Sequence, residues 1–207
     1  MRTNERFGDL QSRLAEIHDL TKVTSLLSWD QSVMMPAGGA PTRAEQMATV
    51  GRIAHEKFVD PEIGRMLEDL RGYEASLPFE SDEASLIRVT RADYEKSVRI
   101  PTDLRTEMTR VASLARTACA DARQKKHFAA FLPFLRQTID LKKRYVDCFN
   151  PSGDPYDVLL DDFERGMPTA EVRAIFQELK TAIVPLIAAI AARGPVVDDT
   201  CLHGDFP

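Results

Sequence analysis

The sequence predicts an all-α protein built from long, mostly antiparallel helices with short connections. Three observations carry this reading. Apolar residues recur at three- and four-residue steps through most of the chain. No stretch of useful length alternates apolar and polar residues with the period of two that a strand requires. Proline, glycine and aspartate fall between the periodic segments, where helices stop and start. No internal repeat is present.

The first helix is expected over residues 4 to 27, where Leu10, Leu14, Ile17, Thr21, Thr24 and Leu27 share one face. A stiff turn is expected next, over residues 28 to 40: Pro36 fixes φ, and Gly38-Gly39 permit positive φ. Thr42 and Glu45 have capping-box spacing and open a second helix, with Ala44, Met47, Gly51, Ala54 and Phe58 on one face. Asp60-Pro61 ends that helix or restarts it, because proline disfavours a helical residue before it.

"SLPFES" reads as a linker, followed by a helix to about Val98. Pro101 introduces another, with Leu104, Met108, Val111, Ala115 and Ala118 in register, up to a break near Lys126. Phe128, Phe131, Leu135, Ile139 and Val146 then line one side of a helix that stops at the turn cluster "NPSGDP". A short helix follows in "YDVLLDDFERGM", then a turn at Gly166. Thr169 caps a last helix whose apolar face holds Val172, Ile175, Phe176, Leu179, Ile183, Leu186 and Ile190, with Pro185 as a source of a kink.

Composition narrows the function. The chain has 207 residues, 43% hydrophobic and 29% charged, which suits a folded domain. A net charge of -5 argues against a nucleic-acid binder. The longest apolar run, "IVPLIAAIAA", is read as too short to span a membrane, and the N-terminus lacks a signal core, so the expectation is a cytoplasmic protein without a membrane partner. The three cysteines, Cys119, Cys148 and Cys201, form no CxxC pair and are read as reduced structural thiols.

Side chains able to do chemistry are sparse. None of His18, His55, His127 and His203 lies a helical turn from another. "HEKFV" opens like a zincin HExxH at His55, but Val59 stands where the second imidazole must be, so His55 is read as a surface or helix-packing residue. Asp157 and Asp161 stand four apart beside Asp162 and Glu164. Facing carboxylates bind a cation or exchange protons, but an ordinary solvated acidic face near a helix terminus is the plainer reading. A di-metal bundle on Asp157, Asp161 and Glu164 lacks the Glu-x-x-His pairs such sites use. No GxGxxG, P-loop or GxSxG occurs, and "AGGA" at 37–40 is too short to cradle phosphate. The residues taken alone give a helical segment with no complete catalytic set.

A resemblance adds to this. "LLSWDQSVMMPAGGAPTRAEQMATV", from Leu26 to Val50, resembles the N-terminal signature of the carboxypeptidase Taq family of metal-dependent carboxypeptidases. "YEKSVRIP" (94–101), "HFAAFLPFL" (127–135), "LKKRY" (141–145), "PYDVLLDDFERGM" (155–167) and "IVPLI" (183–187) are similar to further blocks of that family in the same order. Two departures stand out. Cys119 occupies a usual tryptophan position and loses a large packing group, and Arg165 occupies a usual proline position and loosens a turn.

The resemblance implies an elongated helical fold and a metallopeptidase that removes single residues from peptide C-termini. It implies zinc, or a substitute such as cobalt, polarising the scissile carbonyl, with an HExxH glutamate as general base and basic side chains gripping the terminal carboxylate. The family is more than twice as long as this chain, and its metal ligands and catalytic glutamate correspond to nothing here. We therefore expect no catalytic and no metal-binding residue in this chain, which reads as an inactive N-terminal portion: a cloned segment, a truncated frame or a proteolytic product. A stand-alone helical scaffold or interaction domain without catalysis is the alternative.

The similar blocks suggest Trp29, Asp30, Gln31, Tyr156, Asp157 and Asp161 as substrate-cleft residues, with Trp29 as core packing the plainer reading. A homodimer is expected for the family. Apolar faces left in water predict self-association of this chain or a mobile last helix.

Overall fold

The computed structural model describes residues 3–194 and 198–205. Its elements are α1 (Thr3–Val33), a 3-10 turn (Ala37–Gly39), α2 (Ala40–Phe58), α3 (Pro61–Asp69), α4 (Arg71–Ser76), α5 (Asp82–Ser97), α6 (Thr102–Gln124), α7 (Phe128–Asp147), α8 (Tyr156–Leu160), α9 (Thr169–Ala192) and a last 3-10 turn (Thr200–Leu202). The described residues contain no strand, as the periodicity predicts. The chain divides into two compact units, Met1–Asn150 and Pro151–Pro207.

In the first unit α1 packs on α2, α2 on α6, and α6 on α7, while α3 packs on α1 and α5 on α3 and α4. The main core lies there: Phe7, Leu10, Ile63, Met66, Leu67, Leu70 and Ile87, flanked by Leu14, Ile17, Phe58 and Tyr94. Each fully buried Leu or Ile contributes about 1.5–3 kcal/mol of transfer free energy, which is why three-turn α3 holds its place. Its start is fixed by Asp60, whose Oδ1 accepts the Glu62 N–H at 2.8 Å with Pro61 at the first helical position. Gly64 lets α3 approach α5: an added Cβ would meet the Tyr94 hydroxyl at 2.7 Å and its ring at 3.0 Å. Arg6 ties α1 to α3 through Glu62 at 2.7 Å and Asp69 at 2.9 Å.

The predicted breaks fall where expected, but several local expectations are corrected. Helix α1 runs six residues beyond 27, so Trp29, Asp30 and Gln31 are helical and the turn occupies only 34–39. The helix continues because nothing before Pro36 breaks it, and it closes by two N–H groups, of Met34 and Met35, converging on the Asp30 carbonyl at 2.9 Å. Neither Gly38 nor Gly39 takes a positive φ: Gly39 sits at −79°. Glycine is favoured at 39 by proximity instead, since a Cβ there would stand 2.9 Å from Met35 Cγ.

The Thr42–Glu45 capping box is absent. α2 starts two residues earlier with Gly39 at the cap and no side-chain cap bond, and Glu45 instead pairs with Arg110 of α6 at 2.6 Å. On α7 the buried residues are Leu141, Tyr145 and Val146, whereas Phe128 and Ile139 of the predicted face are exposed. Phe128 packs instead edge-on against Phe131.

In the second unit α8 and α9 pack together across a turn in which Gly166 takes φ +79°. Pro168, not Thr169, occupies the cap of α9; the Thr169 N–H is bound at 2.7 Å by the Asp157 carboxylate. No residue of α9 is buried. It is long and apolar enough to cross a membrane by length and composition, which corrects the reading of "IVPLIAAIAA" as too short.

Candidate functional site

The six cleft candidates fall in different units. Trp29, Asp30 and Gln31 lie on the last turns of α1, while Tyr156, Asp157 and Asp161 lie on and just after α8.

Trp29 is 57% exposed, which overturns the reading of it as core packing. It shares the end of α1 with exposed Leu26 and Val33, an apolar strip on the outer side. Asp30 is held by an ion pair with Arg43 of α2, whose guanidinium also donates to the Leu27 carbonyl at 2.7 Å. That pair clamps the α1–α2 hairpin. Gln31 faces α6: its Nε2 donates to the Ser113 carbonyl at 3.1 Å and to Thr117 Oγ1 at 3.2 Å, and its Oε1 accepts from Ser113 Oγ at 3.1 Å.

The Asp157–Asp161 pair serves the local turn. Asp157 accepts the Thr169 N–H, and Asp161 Oδ1 accepts the Gly166 N–H at 2.9 Å. The neighbouring Thr169 side chain and backbone N–H hold the Asp157 carboxyl below the usual carboxylate range, and the N–H bond closes the turn. Tyr156 is exposed.

The histidines do not converge. His55 is buried on α2 with Nε2 set to donate to the Ile100 carbonyl at 3.1 Å, and burial lowers its pKa. His18 belongs to α1, His127 caps α7, and His203 lies 3.1 Å from Asp199. Among the described residues no three His, Cys, Asp or Glu side chains are grouped to hold an ion. The donors present therefore do not fit the divalent metal that the family resemblance implies.

What the first unit does contain is a groove. α2 is its floor, through Met47, Gly51 and Ala54, with α1 and α6 as walls. Its wider part encloses about 530 Å³ and continues, through shared residues Ser28, Met47, Arg105 and Thr109, into a further 310 Å³ beside Gln31 and Arg116. The sequence reading missed Ser25, Ser28, Arg105 and Thr109. A signal was available: the stripe Leu10–Leu14–Ile17 changes to hydroxyls at Thr21, Thr24 and Ser28, so the helix face stops being core.

The carboxypeptidase Taq (M32) metallopeptidase family matches residues 9–207. The thermostable carboxypeptidase 1 of Thermus thermophilus is 33% identical over 197 residues, covering 91% of this chain and 39% of that protein. Carboxypeptidase 1 of Bacillus subtilis is 30% identical over 204 residues, covering 98% of this chain and 40% of that protein. Among solved structures, the BsuCP crystal structure superposes with a TM-score of 0.89 at 27% identity, covering 98% of this chain and 40% of that one. A Pyrococcus furiosus carboxypeptidase structure superposes with a TM-score of 0.72 at 28% identity, covering 94% and 38%. The chain thus spans about 40% of the length of the relatives it matches.

Proposed function

This chain belongs to the carboxypeptidase Taq family of metallopeptidases, and on that premise we propose that it forms one helical part of a metal-dependent carboxypeptidase acting on peptide C-termini. The observation that supports this is coverage: the likeness runs along nearly all of this chain but only two fifths of each relative. The relatives' names support a peptide substrate for the whole protein. Its divalent metal, for which zinc or cobalt is our expectation, is supplied with ligands by residues other than those described here. A homodimer in the cytoplasm remains our expectation for the whole enzyme.

In this reading the contribution of these residues is positional. Asp30–Arg43 and Gln31–Ser113 brace the end of α1 against α2 and α6, and this carries Trp29 outward with Leu26 and Val33. An exposed tryptophan on a braced helix end suits a wall that meets peptide or the remainder of the protein. Within the second unit, Tyr156, Asp157 and Asp161 are proposed on their own account as substrate-cleft residues of the whole protein. The 207 residues alone are expected to hydrolyse no peptide.

The nucleotide sequence after the codon for Pro207 tests this. An in-frame HExxH is the expected finding. An immediate stop codon in the native gene would contradict it and favour a helical scaffold without catalysis, the reading that the ungrouped donors also allow.

A further inference from the structure

The groove between α1 and α6 is lined by cationic and hydroxyl side chains without an acid. The chain has 32 acidic residues and a net charge of -5, yet no Asp or Glu lines either part of this groove. Arg105 and Arg116 line it, with His55 in its wall. Arg6, Arg43, Arg52, Arg65, Arg71, Arg91 and Arg110 of the same unit each form an ion pair with a carboxylate. Among the described residues the Arg105 guanidinium has neither an acidic partner nor a hydrogen bond, and Arg105 is exposed at the groove. Arg116 donates only to hydroxyls, those of Ser28 at 3.0 Å and Ser32 at 3.2 Å.

The hydroxyls define the rest of the ligand. Thr21 donates to the Ile17 carbonyl at 3.0 Å, Ser25 to Thr21 at 3.1 Å, and Thr109 to Arg105 at 3.1 Å. Their hydrogens are thus used within their own helices, and what they turn to the groove is oxygen lone pairs. Lone pairs suit N–H donors and disfavour a bare anion. A free guanidinium suits a carboxylate, which it grips with two parallel N–H bonds. A ligand offering both at once is a peptide: backbone N–H groups along the hydroxyls and an acidic side chain at Arg105. The length of the groove, two joined segments along three helices, fits an extended segment rather than a single small ion.

We infer that the groove between α1, α2 and α6 is a binding site for an extended acidic peptide segment, with Arg105 as the carboxylate anchor and the Thr21, Ser25 and Thr109 hydroxyls as acceptors for backbone N–H groups. This goes beyond the peptidase assignment and does not depend on where the metal is held.

The test is fluorescence anisotropy of a labelled acetyl-hexaglutamate amide titrated with the 207-residue protein, alongside hexalysine and inorganic phosphate. Hexaglutamate binds and hexalysine does not. Arg105→Gln weakens binding by about tenfold or more, the scale of one lost charge-assisted contact. Arg52→Gln, which removes the same charge on α2 outside the groove, leaves affinity within about twofold, since a distant exposed charge is largely screened. Ser25→Asp, which places a carboxylate in the opposite wall, weakens binding at least as much as Arg105→Gln. Both positions lie on the groove surface, and unchanged circular dichroism confirms that the variants fold. Equal loss in Arg52→Gln, no loss in Arg105→Gln and Ser25→Asp, absence of hexaglutamate binding, or displacement of the peptide by equimolar phosphate would each overturn the inference.

Discussion

Gln31 and Ser113 hold each other reciprocally across α1 and α6: the serine hydroxyl donates to the amide oxygen, and the amide nitrogen donates to the serine carbonyl, each at 3.1 Å. The two residues are 82 apart in sequence, and Ser113 is buried. Truncating one partner of a buried pair strands the other without water.

Gln31→Ala should therefore lower stability by about 1–3 kcal/mol, the cost of leaving buried polar groups unsatisfied. Urea unfolding followed by circular dichroism measures it. Gln31→Glu should be no better, because the Ser113 carbonyl then loses its donor.

Two glycine substitutions separate packing from propensity. Gly64→Ala should destabilise by about 1–3 kcal/mol, as overpacked core sites do, because its Cβ would press on Tyr94. Gly72→Ala on α4, with nothing within 4 Å of the new carbon, should stabilise; the expected gain is about 0.5–1 kcal/mol from helix propensity. Thermal melts of the pair should move in opposite directions.

His55 gives stability a pH dependence. Burial lowers its pKa from the usual 6.5, against the opposing pull of its bond to Ile100. In the window between the lowered value and 6.5 the unfolded chain binds a proton that the folded chain refuses, so stability rises with pH there. The contribution is complete above 6.5 and is lost as pH falls towards the folded value. His55→Gln keeps a donor for Ile100 and should remove this component. The difference between the two denaturation midpoints should be constant above pH 6.5, and below it the wild-type midpoint should fall relative to that of His55→Gln.

The exposed apolar residues of α9, among them Leu179, Ile183, Leu186 and Ile190, should drive self-association in aqueous buffer. Sedimentation velocity should show concentration-dependent species that Ile183→Glu with Leu186→Glu diminishes. A monomer at every concentration, with slow amide exchange through α9, would contradict this.

Much of the helical framework is legible from apolar spacing, and the breaks at Asp60-Pro61, Pro101, Lys126 and Gly166 follow from backbone chemistry that neighbours alone determine. What was not legible depended on distant partners. Glu45 looks like a cap residue until Arg110 is brought beside it, and Ser28 and Gln31 look like turn residues until α6 supplies Arg116 and Ser113. The glycine pair at 38–39 suggested a φ that the chain does not use, because the local turn holds Gly39 at −79° and a Cβ there would crowd Met35, four residues back. The acidic pair Asp157 and Asp161 sits on its expected segment, but its work, binding N–H groups 12 and 5 residues on, requires the turn to be folded.

The claim on which the account rests is that these 207 residues form a helical part of a metallopeptidase without its metal centre. Zinc content of the purified chain after incubation with zinc and exhaustive dialysis, read by plasma mass spectrometry, tests it most directly. The account predicts far less than one zinc per chain. One tightly retained zinc per chain, lost on mutation of His55 or His203, would contradict it.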